Sequence, residues 1–291
     1  MRTCIIGASG LVGGNCLNYF NRKGWENVGT YFSFQTEHTV FFDTLDLENQ
    51  RNFNIENYHP DVIIHCGALT HVDYCEANEQ ESYAKTVVST KNLVQVAKKI
   101  NARFVFISTD YIFDGAEGPY DEDAIPDPIS IYGKHKLEAE QYVLNEISNA
   151  IILRITNVYG DEIRGKNFVS RIIEQAENKK YLTLKLPIDQ YATPVNAADI
   201  ARALYLLLSD EHKGIFNIAS TDYMNRVQLA LRVLHYFPDA AYDLFPMKTL
   251  ELNQPAARPL QGGLKNKRFA TLYPDFVFST IDDFVMNKIK K

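Results

Sequence analysis

Short apolar runs alternate with stretches of helical periodicity along most of the chain. This alternation predicts βαβ units, in which helices join parallel strands. In the first half we predict strands over residues 3–6, 28–31, 40–42, 60–65, 103–107 and 150–154, and helices over residues 11–23, 83–100 and 132–146. The pattern therefore predicts an α/β fold built on a doubly wound parallel sheet.

A glycine-rich turn lies between the first predicted strand and the first predicted helix. Glycines in this position permit a sharp turn and the close approach of a pyrophosphate, which is attracted by the N–H groups at the helix start. A glycine pattern alone is a weak signal, but its place between strand and helix predicts a dinucleotide site. The predicted contacts are Gly7, Ser9, Gly10, Leu11, Val12 and Gly13.

The second half of the chain is less regular. Residues 196–208 predict a helix, residues 214–218 a strand that can return to the main sheet, and residues 255–273 are rich in loops. We therefore predict a dinucleotide-binding lobe of residues 1–155 with about 196–220. A smaller, partly interleaved substrate-binding lobe would contain residues 156–195 and 221–291.

The amino-acid composition of the chain limits the classes of ligand that are expected. The 291 residues carry a net charge of −6 and no long basic run, so neither nucleic acid nor an acidic membrane surface is an expected partner. Apolar runs fall short of the roughly 20 residues of a membrane span, and Met1 leads directly into the first strand. We expect a cytoplasmic protein that binds small molecules. Four cysteines, at spacings that match no zinc pattern, predict free thiols and no metal site.

The spacing Tyr-x-x-x-Lys occurs three times, at Tyr19/Lys23, Tyr132/Lys136 and Tyr181/Lys185, so the spacing alone is uninformative. Only Tyr132 begins a predicted helix downstream of a hydroxyl at a strand end, Thr109. Residues four apart share a helix face, and an ammonium beside a phenol lowers the pKa of that phenol. Thr109, Tyr132 and Lys136 are therefore the predicted catalytic residues of a nicotinamide-dependent carbonyl reductase.

Further motifs surround these residues. They are Ala68-Leu-Thr-His-Val-Asp-Tyr-Cys-Glu76, Ser108-Thr-Asp-Tyr-Ile-Phe-Asp-Gly115, Pro119-Tyr-x-Glu122, Leu153-Arg-Ile-x-x-Val-Tyr-Gly160, Asn167-Phe-Val169, Asp189-Gln190 with Pro194, and Arg258-Pro259. Together with the glycine turn they resemble the extended short-chain dehydrogenase/reductases, and most closely the dTDP-4-dehydrorhamnose reductase family. The resemblance covers nearly the whole chain and implies a Rossmann fold.

The resemblance implies reduction of the 4-keto group of a nucleotide-linked 6-deoxy sugar. Tyr132 would protonate the carbonyl oxygen, Thr109 would hydrogen-bond it, and Lys136 would also hold the nicotinamide ribose. It further implies cofactor contacts from Asp46, Leu47, Gly67, Ala68 and Leu69, and substrate contacts from Val72, Asp73, Asn167, Gln190 and Arg258. A homodimer and a role in polysaccharide precursor synthesis are expected on the same ground.

The cofactor is expected to be NADP or NAD. Residues 30–34, about 20 positions past the glycines, contain neither the acid typical of NAD sites nor an arginine for the NADP 2′-phosphate. Thr86, Ser89, Ala192 and Val195 depart from the family pattern, the last two close to the expected substrate.

Two further functions remain open. The regulatory β subunit of methionine adenosyltransferase resembles the same family, and the chain could be such a non-catalytic, dinucleotide-binding subunit. A sugar-nucleotide epimerase or dehydratase is the other, because Asp110 follows the strand-end hydroxyl as an acid does in dehydratases.

Overall fold

The computed structural model describes residues 1–50 and 53–290, and a seven-stranded sheet forms its centre. All neighbouring strands of this sheet are parallel, in the order β3-β2-β1-β4-β5-β6-β9. Numbered along the chain, they are β1 (Arg2–Ile6), β2 (Glu26–Tyr31), β3 (Thr39–Phe41), β4 (Val62–His65), β5 (Arg103–Thr109), β6 (Ile151–Ile155) and β9 (Gly214–Ile218). The predicted doubly wound sheet is confirmed, and so is the return of residues 214–218 to it.

The sheet is covered on both faces because successive strand residues point to opposite sides. Ile5 packs with helices α1 (Leu11–Arg22) and α8 (Ala197–Ser209), whereas Cys4 and Ile6 pack with the opposite cluster. Helices α5 (Ser89–Lys99) and α6 (Ile131–Glu146) cover that second face. Each fully buried aliphatic or aromatic side chain stabilises the fold by about 1.5–3 kcal/mol.

Residues from the second half of the chain form a separate apolar cluster. It joins helices α7 (Phe168–Glu177), α9 (Arg226–Leu234) and α11 (Ile281–Ile289) to strand β7 (Leu182–Pro187). Strand β7 pairs with β11 (Tyr242–Met247), and β8 (Tyr191–Ala192) pairs with β10 (Met224–Asn225). The exact boundaries of the two lobes remain a prediction. Phe269, in α10 (Lys267–Leu272), packs into the cluster of α1 and α8.

Several elements differ from the sequence prediction. The helix predicted over residues 83–100 begins earlier, as α4 (Glu79–Tyr83), and passes through a π-helical turn, Ala84–Val88, before α5. Two short helices, α2 (Ile55–Tyr58) and α3 (Val72–Ala77), precede and follow β4. Helix α2 ends before Pro60, as that proline predicts, whereas α3 was not predicted. Helices of four to six residues make too few turns to display a helical period.

Two further features bear on ligand class. Within residues 1–50 and 53–290 no helix is both long and apolar enough to cross a membrane. The same residues contain no cluster of three or more side chains suited to hold a metal ion. The four cysteines are free thiols.

Candidate active site

The glycine turn forms a tight cradle between β1 and α1. Gly7 adopts φ +80°, and a Cβ there would lie 3.0 Å from the Gly67 nitrogen. A Cβ on Gly13 would lie 2.5 Å from the Gly7 oxygen, so this position excludes every larger residue. No side chain caps the start of α1, which leaves its first N–H groups for an anion. The cradle fits the pyrophosphate of a dinucleotide.

The cradle lies at the point where the strand order reverses. Strand β1 is flanked by β2 and β4, and ligands of doubly wound sheets bind outside the carboxyl ends of such strands. The predicted residues Gly67, Ala68 and Leu69 follow β4, and Thr109 ends β5. The sheet thus brings residues of three separate segments of the chain to one edge.

Thr109 and Tyr132 meet at this edge. Tyr132 lies in the first turn of α6, which Ser130 caps by accepting a hydrogen bond from the Gly133 N–H at 3.2 Å. Burial raises the pKa of Tyr132, and a hydrogen bond with the Thr109 side chain opposes that rise. The phenol therefore keeps its proton at neutral pH, as a proton donor must.

Lys136 follows one turn later, but its ammonium binds the main chain. It donates to the Ile107 oxygen at 2.5 Å and lies 3.9 Å from the centroid of the Phe106 ring. Burial lowers the pKa of Lys136 itself to about 7. The expectation that Lys136 lowers the pKa of Tyr132 below its ordinary value is wrong here, because desolvation of the phenol outweighs the favourable contributions.

A buried ion pair holds α6 against the strand ends. The Arg154 guanidinium on β6 lies 2.5 Å from a carboxylate oxygen of Glu140, and both side chains are no more than 3% exposed. The Ser108 hydroxyl donates to the same carboxylate at 2.7 Å. Glu140 also partly restores the pKa of Lys136, one turn away on α6. The sequence prediction missed Glu140, since its partners are 32 and 14 residues away.

A cleft opens beside Tyr111, whose ring contacts the Tyr132 ring edge to face, with centroids 5.6 Å apart. One wall comes from the β5 end and the other from residues that follow β6, β7 and β10. The lining residues are Asp110, Tyr111, Asn157, Gln190, Tyr191, Ala192, Arg226, Pro259 and Gly262. Tyr111, which lines the cleft, is therefore in direct ring contact with Tyr132, the predicted proton donor.

Two arginines near Tyr111 differ in the partners of their guanidinium groups. Arg258 pairs with Asp73 at 2.8 Å, while its Nη1 atom is buried with no hydrogen-bond partner among the described residues. Arg226 donates to the Asn157 Oδ1 atom at 2.6 Å and forms no ion pair within the part of the chain that the structure describes. Both guanidinium charges lower the pKa of Tyr111, although burial raises it overall. The sequence prediction named Arg258 but missed Arg226.

Asp110 clamps two segments together. Its Oδ2 atom accepts hydrogen bonds from Thr156 Oγ1 at 2.6 Å and from the Gly263 N–H at 3.1 Å, and Oδ1 lies 3.3 Å from Thr109 Oγ1. Burial raises the pKa of this carboxyl group. These contacts fix the 259–263 segment beside the end of β5.

The other predicted contacts occupy varied positions. Val72 and Asp73 begin α3, and Asp73 also accepts from the Ala256 N–H at 3.2 Å. Gln190 lines the cleft and donates to Thr249 and Gln254. Asn167 is buried and caps α7 by accepting from the Ser170 N–H at 3.0 Å. Its role toward substrate stays a prediction.

Asp46 and Leu47 lie in the loop after β3. The Asp46 carboxylate accepts hydrogen bonds from the main chain and side chain of Asn49, so it stabilises a turn. It does not cap a helix, since α2 begins only at Ile55. Leu47 packs against the cluster beneath α5 and α6. Their contact with adenine stays a prediction.

The sequence matches the RmlD substrate binding domain over residues 1–278. The chain belongs to this family. Similar solved structures include a dTDP-4-dehydrorhamnose reductase from Clostridium acetobutylicum, which is 27% identical and covers 100% of both chains with a TM-score of 0.83. A dTDP-4-dehydrorhamnose reductase from Bacillus anthracis, solved in complex with NADP, shares the fold at 24% identity over 100% of this chain and 99% of its own, with a TM-score of 0.85.

Relatives of the RmlD-family chain carry different functional names. Methionine adenosyltransferase 2 subunit beta of Xenopus laevis is 31% identical over 81% of this chain and 72% of its own length. A probable low-salt glycan biosynthesis reductase of Haloferax volcanii is 28% identical over 89% and 88%. A subunit of a methionine adenosyltransferase and a probable reductase are thus found at similar identity.

Proposed function

We propose that the protein uses NADPH or NADH to reduce the 4-keto group of a nucleotide-linked 6-deoxy sugar. The observation that carries this proposal is the buried Thr109–Tyr132 pair beside a glycine cradle at the point where the strand order reverses. Membership of the RmlD family and the likeness to the Clostridium reductase support it. We further propose that this activity is cytoplasmic and supplies polysaccharide precursors.

Three residues of the chain have separate roles in the proposed reaction. A bound nicotinamide cofactor supplies a hydride. Tyr132 holds the proton that the carbonyl oxygen receives, and Thr109 hydrogen-bonds both the phenol and, when substrate is bound, that oxygen. Lys136 lies deeper, against Ile107, within one helical turn of Tyr132, where its ammonium can also bind the nicotinamide ribose.

The substrate's diphosphate would bind between the two arginines of the cleft. Arg258 has a buried, unpartnered Nη1 atom, and Arg226 has no carboxylate partner among the described residues. A planar guanidinium binds two phosphate oxygens at once. Gln190 and Val72 would complete the site toward the sugar.

A regulatory function is the second candidate, because methionine adenosyltransferase 2 subunit beta is 31% identical to the chain. The intact Thr109, Tyr132 and Lys136 set favours catalysis. An epimerase or dehydratase is less well supported, since both carboxylate oxygens of Asp110 already have partners within the protein.

The test is the absorbance of the reduced nicotinamide, followed with purified protein, NADPH or NADH, and enzymatically prepared dTDP-4-keto-6-deoxy sugar. We expect substrate-dependent oxidation of the cofactor. Tight cofactor binding without oxidation, together with co-purification of a methionine adenosyltransferase, would instead establish the regulatory function.

A further inference from the structure

The end of β2 decides which dinucleotide a fold of this type prefers. An acidic residue there binds the ribose 2′-hydroxyl of NAD, whereas a nearby arginine accommodates the 2′-phosphate of NADP. Thr30 lies at this end and accepts a hydrogen bond from the Gly7 N–H at 3.2 Å, which places it beside the cradle. Residues 31–34 that follow are Tyr, Phe, Ser and Phe, with no charge of either sign.

An arginine reaches this position from elsewhere in the chain. The Arg164 guanidinium lies 5.1 Å from the centroid of the Phe34 ring. Arg164 belongs to the segment between β6 and α7, far from β2 in sequence. No carboxylate within residues 1–50 and 53–290 forms an ion pair with it, so its charge is available to a ligand.

The segment that carries Arg164 is fastened to the dinucleotide-binding helix. Asn15 on α1 donates from Nδ2 to the Asp161 main-chain oxygen at 2.9 Å, and the Asp161 carboxylate pairs with Lys288. The anchor lies three residues before Arg164, on the same helix whose first turn forms the cradle. These contacts hold the segment across the edge of the cofactor site.

Lys85, a second cation near this loop, already has an ion-pair partner. The Lys85 ammonium lies 5.9 Å from the Phe32 ring, but it pairs with Glu81 at 2.5 Å. An arginine whose planar group rests on an aromatic ring is oriented in advance, and its fork matches phosphate oxygens.

We propose that Arg164 binds the 2′-phosphate of NADP and thereby gives the protein a preference for NADPH over NADH. This inference rests on the proposed cofactor class and extends it to a choice between the two. A charge-assisted hydrogen bond contributes about 1.5–3 kcal/mol, which corresponds to roughly ten- to a hundredfold in affinity.

The experiment measures dissociation constants of NADPH, NADH and 2′,5′-ADP by calorimetry, without substrate. We compare the wild-type protein with Arg164→Gln, Arg164→Lys and the control Lys85→Met. We expect wild-type protein to bind NADPH at least roughly tenfold more tightly than NADH. Arg164→Gln should lose that difference and its affinity for 2′,5′-ADP, Arg164→Lys should keep part of it, and Lys85→Met should keep nearly all of it.

The outcomes separate two kinds of failure. Equal binding of NADPH and NADH by wild-type protein, or an equal loss of both in Arg164→Gln, would overturn the inference and leave the proposed function standing. Absence of binding of either cofactor to a folded wild-type protein would overturn both.

Discussion

The strand-end region, which contains Lys136, Glu140 and Arg154, and the cleft beside Tyr111 balance their charges differently. At the strand ends, the carboxylate of Glu140 pairs with Arg154 and acts on Lys136, so positive and negative groups compensate one another. In the cleft, Arg226 has an amide oxygen as its partner and no carboxylate among the described residues. A partly buried charge without an ion-pair partner is costly, and an anionic ligand reduces that cost. The first region is thus complete within the protein, and the second is suited to a phosphate.

The strand-end region is tested most strongly by Tyr132→Phe. Because this change removes only the proposed proton donor, we expect kcat/KM to fall by about 10²–10⁴ with little change in NADPH affinity. Steady-state kinetics and cofactor titration measure the two effects. Tyr181→Phe, at an exposed tyrosine of the same Tyr-x-x-x-Lys spacing, should leave both unchanged. Retained activity in Tyr132→Phe would remove the phenol from the mechanism.

The cradle next to that region is tested by Gly13→Ala. The added Cβ would lie 2.5 Å from the Gly7 oxygen and 2.9 Å from the Ala8 Cα atom, so the turn must open. We expect NADPH affinity, measured by titration, to fall by roughly tenfold or more. Gly24→Asn is the control, since Gly24 has a positive φ but no atom within 4 Å of its added Cβ. An unchanged affinity in Gly13→Ala would contradict the assignment of the cradle.

Substitutions of Arg258 and Arg226 test whether the two guanidinium charges differ in their ionic partners. Arg258→Gln leaves Asp73 without its ionic partner, so we expect it to lower the free energy of unfolding by about 1–3 kcal/mol. Arg226→Gln breaks a hydrogen bond to Asn157 but no ion pair among the described residues, so it should lower this free energy less. Both variants should bind dTDP more weakly, with Arg22→Gln on the exposed surface of α1 as control. Chemical denaturation and dTDP titration give the two readouts, and equal destabilisation by both variants would refute the difference in charge balance.

A pH-dependent effect follows from the pKa of Lys136. Burial lowers that pKa to about 7, whereas the unfolded chain has the ordinary value near 10.4, so the unfolded state binds more protons between these limits. Wild-type stability should therefore rise with pH in this window, relative to Lys136→Met, by about 1.4 kcal/mol per pH unit. Below pH 7 the difference between the two proteins should become constant.

Urea unfolding at a series of pH values between 6 and about 9 measures this difference. Lys134→Met is the matched control, because Lys134 is exposed on the same helix. A difference between wild type and Lys136→Met that does not vary with pH would show that the lysine keeps its ordinary pKa in the folded protein.

The sequence predicted the strand-end region better than the cleft for a physical reason. Gly7 follows the end of β1, Gly13 lies in the first turn of α1 and Thr109 ends β5, and the chain's own period and turn residues mark these places. Arg226 and Asn157 are 69 residues apart and meet only through tertiary packing. The local sequence around either residue therefore does not predict that they pair.

The pKa of Tyr132 was misjudged for a related reason. Spacing along α6 predicts that Lys136 shares its helix face, but it does not reveal that the ammonium would bind Ile107 or that the phenol would be buried. Burial depends on groups brought to the site by the fold, including Tyr111, whose ring contacts the Tyr132 ring edge to face. The direction of a pKa shift therefore required the folded structure.

The central claim is that the protein transfers hydride to a sugar-nucleotide carbonyl and releases oxidised cofactor. The most direct measurement uses NADPH carrying deuterium at both positions of nicotinamide C4, a dTDP-4-keto-6-deoxy sugar and mass spectrometry of the product. We predict one deuterium at the former carbonyl carbon for each NADPH oxidised. A product without deuterium, or conversion of the sugar with no net oxidation of NADPH, would contradict the account.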